Sequence, residues 1–420
     1  MRKIAQGLAT VSMFLFIGCG DLHDPINESV KHGKIVVDLD GDSIKKSLID
    51  AKVPGITKKS IVYGQKAYKI PYITTDEEGN EVEVSGYMVV PKGLPEALIA
   101  AKGYSVVSDD HGTIFANNDA PTVLPELNSM PSGASIILTS LAGFVTLQPD
   151  YIGFGDSNKH YHPFILKKSL ANATVDFIRA AKSFALENDI YLNKQLFLTG
   201  YSEGGYSAMA TLQKIEKEGL LEEIPVTMAA PMAGPYDVNL TAFGVLSQAK
   251  LGVPSFMANI GYAYAKAYNV SVDTIINEPY ASKLPVLFDG TKDRTLIDPE
   301  LTQTTTGEEG LFHPVFVQNF FANENHWFRQ AVVENSVYAW APQTTVRLLH
   351  CKSDDVIPYA ISQKTEGIMK HLGAKDIALL AIEDTLGKTG AKIGHAACGQ
   401  LGYSLASQLF ANVRKQTIGY

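Results

Sequence analysis

Cysteine is scarce in this chain, with 3 among 420 residues. No C-x-x-C or H-E-x-x-H spacing occurs, so no metal site is expected. An excess of basic charge is lacking as well. The formal net charge is −8, and phosphate backbones need a basic face, so nucleic acid is not an expected partner. Internal repeats and low-complexity blocks are absent, which argues against a repeat array. The apolar run at 8–18, "LATVSMFLFIG", is too short to span a bilayer as a stable anchor. What remains is ordinary for a globular protein: 45% apolar residues, 19% charged, 35 Gly and 20 Pro. The length suits one large α/β domain with an insertion, or two to three domains.

The short basic head Met1-Arg2-Lys3 followed by that apolar run reads as a secretory signal over 1–18. It ends in Phe16-Ile17-Gly18-Cys19, which resembles a bacterial lipobox, with Phe16 where Leu is usual. Acylation of Cys19 as the new N-terminus is the expectation. It makes the chain an exported bacterial lipoprotein held at a membrane, periplasmic or at the cell surface, because several acyl chains give stable anchoring. Residues 20–33 read as a polar tether, within a tether and N-terminal segment over 19–58.

Two β-rich runs, 60–75 and 81–91, flank the turn Asp76–Asn80 and predict a hairpin. Beyond it, strands are expected at 97–107, 143–149, 195–199, 226–234, 344–352 and 374–384. Helices are expected near 132–142, 164–187, 203–218, 359–372 and 399–416. Alternating strand and helix builds a mostly parallel sheet with helices on both faces, here preceded by antiparallel strands. Residues 240–340 break the rhythm with apolar helical patterns and read as a helical cap inserted between core segments 59–239 and 341–420.

The run "QLFLTGYSEGGYSA" (195–208) carries Gly200-Tyr201-Ser202-Glu203-Gly204, a G-x-S-x-G form between a strand and a helix. Glycines two residues either side free space where strand meets helix, and let Ser202 project its hydroxyl as a nucleophile. A serine needs an acid and a base. "HCKSDDVIP" (350–358) leaves a strand at its C-terminal end, where parallel sheets gather their sites, and offers Asp354 as the acid. Asp355 is the runner-up and Asp384 a weaker rival. The base is expected to be His395 in "IGHAACG", on a Gly-rich loop between the last strand and the last helix. The other histidines fall in the tether (His23, His32), before or within helical segments (His160, His162, His313, His326), in a strand (His350) or at a helix end (His371). For an oxyanion, one donor is the backbone N–H of Glu203 and the other comes from the Asp109–Thr113 loop, at Gly112 or Thr113. His111 reads as an anchor of that loop.

The segments "SDDHGT", "LQPDYIGFGDS", "HPF", "GYSEGGYSA", "SDDVIP" and the late "GH" occur in the order seen in α/β-hydrolases. The chain resembles the secretory lipase and carboxylesterase group of that superfamily over about residues 60–415. The resemblance implies an α/β-hydrolase fold with a helical cap, and a Ser-Asp-His carboxylic ester hydrolase that needs no cofactor and takes small-molecule or lipid esters. It also implies that Asp150 and Tyr151 hold the loop beside the site. A serine peptidase or acyltransferase on the same fold, and a non-catalytic hydrolase-like binder, are the alternatives. The aromatics and Met257 of the cap suggest an apolar acyl site. Cys351 and Cys398 lie three residues before Asp354 and three after His395, so they can bridge the two loops.

Overall fold

The computed structural model describes residues 33–53, 56–123 and 130–420. The signal segment, Cys19 and nearly all of the expected tether lie outside the described residues. A nine-stranded sheet runs in the order β1-β2-β3-β5-β4-β6-β7-β8-β9. Its strands are β1 Lys34–Leu39, β2 Gly64–Thr75, β3 Glu81–Lys92, β4 Tyr104–Asp110, β5 Val145–Pro149, β6 Leu192–Tyr201, β7 Val226–Met232, β8 Thr345–His350 and β9 Ile377–Ala381. β1, β2, β3 and β5 are joined antiparallel, and every pairing from β5 through β4 to β9 is parallel.

Both faces of the sheet are covered, so its strands read as nearly continuous apolar runs. Along β6, Leu196 and Leu198 pack toward Phe177 and Ile178 of the helix Lys167–Glu187, while Phe197 turns the other way. There it stacks on Phe410 of the helix His395–Thr417, with ring centroids 4.6 Å apart. Six α-helices, from Val238–Leu246 to Trp327–Glu334, lie between β7 and β8. Phe115, in the loop after β4, is stacked between Phe256 and Phe288 of this insertion, at 5.9 and 5.8 Å. Among the described residues no helix is long and apolar enough to cross a membrane.

Several expected elements differ. The run 97–107 is not one strand: Glu96–Lys102 is helical and β4 starts at Tyr104. A short apolar run does not declare its period. Here Ala and Leu favour the helix, and Gly103, at φ 66°, ends it and turns the chain into the sheet. β1 and the helix Gly41–Asp50 occupy the stretch grouped with the tether. The residues expected as a helix near 132–142 wind first as α and then, from Ile136 to Leu141, as π. β9 stops at Ala381 and a short helix, Ile382–Thr385, takes up the remainder of the expected strand. The last helix starts at His395 itself and not at 399.

Candidate active site

The parallel register brings four strand ends to one rim: Asp110 of β4 pairs with Gly200 of β6, Tyr201 of β6 with Met232 of β7, and Met232 with Leu349 of β8. Ser202 follows β6 directly and has φ 60° and ψ −117°, a left-handed backbone for a residue with a side chain. Its amide donates to the Met232 carbonyl at 2.9 Å, and its own carbonyl accepts from Tyr206 at 3.1 Å. Gly204 makes the turn possible, since a Cβ there would stand 1.8 Å from the Asp110 carbonyl oxygen. The missing Cβ lets the Asp110–His111 backbone lie close against the elbow. Ser202 thus caps the helix Glu203–Lys217, whose first amides carry partial positive charge.

Three side chains distant in sequence meet here. Ser202 Oγ lies 2.9 Å from His395 Nε2, and His395 Nδ1 lies 2.7 Å from Asp354 Oδ2. The other carboxylate oxygen of Asp354 accepts from the Val356 and Ile357 amides at 2.9 and 2.8 Å. Burial works to raise the Asp354 carboxyl, but the His350 and His395 rings and the Val356 amide outweigh it and hold the group well below the usual carboxylate range. Tyr201 donates its hydroxyl to the His395 carbonyl at 2.6 Å, fixing the start of the last helix over the elbow.

The runner-up acid has a different place. Asp355 Oδ1 accepts the backbone N–H of His395 at 2.7 Å, so it holds the helix N-terminus that carries the imidazole. Asp384 is an exposed ion-pair partner of Lys352 and does not reach His395. Cys351 and Cys398 are joined in a disulfide with Cα atoms 5.9 Å apart, linking the end of β8 to the first turn of the last helix.

Two histidines escaped the sequence reading. His350, at the end of β8, is fully buried, with Nε2 3.2 Å from Asp354 Oδ2 and 3.0 Å from the Ile357 carbonyl oxygen. Its four-residue spacing from Asp354 was the available signal. His162 lies 2.7 Å from the buried Glu203 carboxylate. The "HPF" segment contained it, without pointing to its partner.

His111 Nδ1 meets the Gly112 carbonyl oxygen at 2.8 Å, and the His111 carbonyl accepts from Tyr151 at 3.2 Å. Asp150 is buried, accepts from the Ser85 and Thr122 side chains and the Thr122 amide, and is pushed up to about 6 by burial. Asp150 and Tyr151 are therefore braces of this loop. Among the described residues no cluster could hold a metal ion. A small cavity of about 40 Å³ is lined by apolar groups, among them Ile165, Pro235, Met257, Ile260, Phe312 and Phe328.

Known proteins match this arrangement at the level of fold. A candidate hydrolase of Legionella pneumophila superposes with a TM-score of 0.80 at 23% identity, over 92% of this chain and 98% of that one. The rice cell wall degrading esterase LipA of Xanthomonas oryzae follows with a TM-score of 0.73 at 24% identity, over 92% and 97%. Candida antarctica lipase A gives 0.57 at 14% identity, over 83% and 74%. The family model described as the prolyl oligopeptidase family matches residues 132–218. Among curated proteins, none matches the chain. The sheet order, the strand-to-helix elbow and these likenesses define the class: this is a protein of the α/β-hydrolase fold. Within that class the likeness spans nearly the whole length of the esterase LipA and about three quarters of the lipase.

Proposed function

We propose that the protein is a serine hydrolase that cleaves carboxylic esters through an acyl-enzyme. The observation that carries this reading is the unbroken chain of hydrogen bonds from Ser202 Oγ through His395 to Asp354. His395 takes the Ser202 proton as the oxygen attacks the ester carbonyl. Asp354 holds the imidazole in the tautomer that presents Nε2 to the serine and favours the imidazolium. The ring then protonates the leaving alcohol, and water resolves the acyl-enzyme by the same route. The Glu203 N–H is one oxyanion donor. The other donor is read as the backbone N–H of Gly112 or Thr113, in the loop that His111 anchors through the Gly112 carbonyl. The apolar lining of the cavity at Met257 supports reading the cap as the acyl side.

The second reading is a serine peptidase on the same fold. It is favoured by the prolyl oligopeptidase match, which covers the elbow but neither Asp354 nor His395. One assay series separates the two. Wild type should turn over acyl esters well and an aminoacyl amide poorly, and Ser202→Ala should lose roughly 10⁴-fold or more in kcat, as triad removals do. A fluorophosphonate should label wild type and not the variant. Faster turnover of the amide would replace the esterase reading by the peptidase, and full activity in Ser202→Ala would end both.

A further inference from the structure

His162 and Glu203 form a buried pair one residue beyond the elbow serine, with side chains 7% and 1% exposed. His162 Nε2 is 2.7 Å from Glu203 Oε1, and Nδ1 is 2.9 Å from the Ile152 carbonyl oxygen. Both ring nitrogens face acceptors, and each gap at this length needs a hydrogen. A neutral imidazole supplies only one. The second proton therefore sits between the partners, either as an imidazolium facing a carboxylate or as a Glu203 acid donating to Nε2. In both forms the pair is neutral as a whole, which burial demands.

The ring has little freedom. A Cβ on Gly153 would stand 2.7 Å from the His162 Cα, and Phe154 lies 4.8 Å from the ring. The titratable groups that face the pair are Asp110 and His111 at the end of β4, Tyr151 after β5, and Tyr206 one turn along the elbow helix. The pair thus links the loop after β5 to the first residue of that helix. Among the described residues His162 gives the one side-chain hydrogen bond to the Glu203 carboxylate, whose Oε2 is buried without a hydrogen-bond partner there.

We propose that His162 is a positioning residue: through its shared proton it fixes Glu203, so that the Glu203 N–H points at the oxyanion. This rests on the esterase reading above. An oxyanion donor contributes to the transition state more than to the bound ester, so misplacing it lowers kcat and leaves KM nearly unchanged.

The test is a double-mutant cycle on the full-length protein with an acyl ester. His162→Leu and Glu203→Leu should each lower kcat about 10- to 100-fold with KM within about 2-fold, and the double variant should be no worse than either single. His162→Gln, whose amide N–H₂ reaches about as far as Nε2, should recover most of the loss, and the shorter His162→Asn should not. That last comparison decides the matter if the leucine variants fail to fold. A kcat for His162→Leu equal to wild type, losses that multiply in the double variant, or His162→Gln no better than His162→Asn would each overturn the proposal. Full activity in Ser202→Ala would remove it together with the esterase reading, whereas a dead Ser202→Ala beside an unaffected His162→Leu would remove it alone.

Discussion

Ser202 and Asp110 show how single residues carry cost at this site. A side chain at φ 60° costs about 1–3 kcal/mol, and the elbow keeps it because the Met232 carbonyl and the Tyr206 amide grip the serine backbone from both sides. Asp110 is wholly buried, and burial, with Asp109 and Glu203 nearby, pushes its carboxyl up to about 8. A group raised in the folded state favours folding fully only below its unfolded value near 4, and that contribution is lost as pH rises through the folded value. Asp109 and Asp150, raised to about 6, act in the same sense at the lower end of this window. Asp110→Asn, which keeps an acceptor for the Thr174 hydroxyl, should therefore gain stability relative to wild type from pH 6 to 9. Urea midpoints at three pH values would measure it, and parallel pH profiles for the two proteins would refute the assignment.

At the scale of elements, the proposed acid and base stand on two pieces of chain, a loop after β8 and the start of the last helix. Asp354 leaves β8, and His395 opens the last helix, 41 residues later. Three links join them: the His395–Asp354 contact, the His395 amide on Asp355, and the Cys351–Cys398 disulfide with a sequence separation of 47. Closing a loop of that length restricts the unfolded chain by about 4 kcal/mol in the chain-entropy model. Replacing both cysteines with serine should lower unfolding stability by about 3–4 kcal/mol, read from urea midpoints with their slopes. An unchanged midpoint would mean that the bridge contributes nothing to folding.

At the scale of the whole molecule, the acidic balance and the N-terminal segment concern where the protein works. The lipoprotein reading of Cys19 lies outside the described residues and stands as a proposal, as does membrane anchoring through it. Full-length protein expressed in a bacterial host with an alkyne-tagged fatty acid should incorporate the label and partition with membranes, and Cys19→Ser should do neither. Label retained by the serine variant would send the assignment elsewhere.

The local grammar of the chain was legible without coordinates. The hairpin around Asp76–Asn80, the alternation that builds a parallel sheet and the G-x-S-x-G elbow all follow from patterns within a few residues, because period and turn chemistry are local properties. Ser202 and Asp354 could be singled out because each follows a strand end with a recognisable turn, and His395 because a Gly-rich loop leads into the last helix. What only the tertiary structure decided is which groups touch. The sequence ranked Asp354 above Asp355 but gave Asp355 no role, and the structure has Asp354 meet the ring and Asp355 accept from the backbone of His395. His162 was one histidine among ten, and its pairing with Glu203, 41 residues away, exists only because β5 and β6 deliver their loops to the same rim. The helix at 96–102 is a smaller case, where an apolar run fits either element until packing chooses. Pattern specifies elements through nearest neighbours, whereas a site depends on how those elements are stacked.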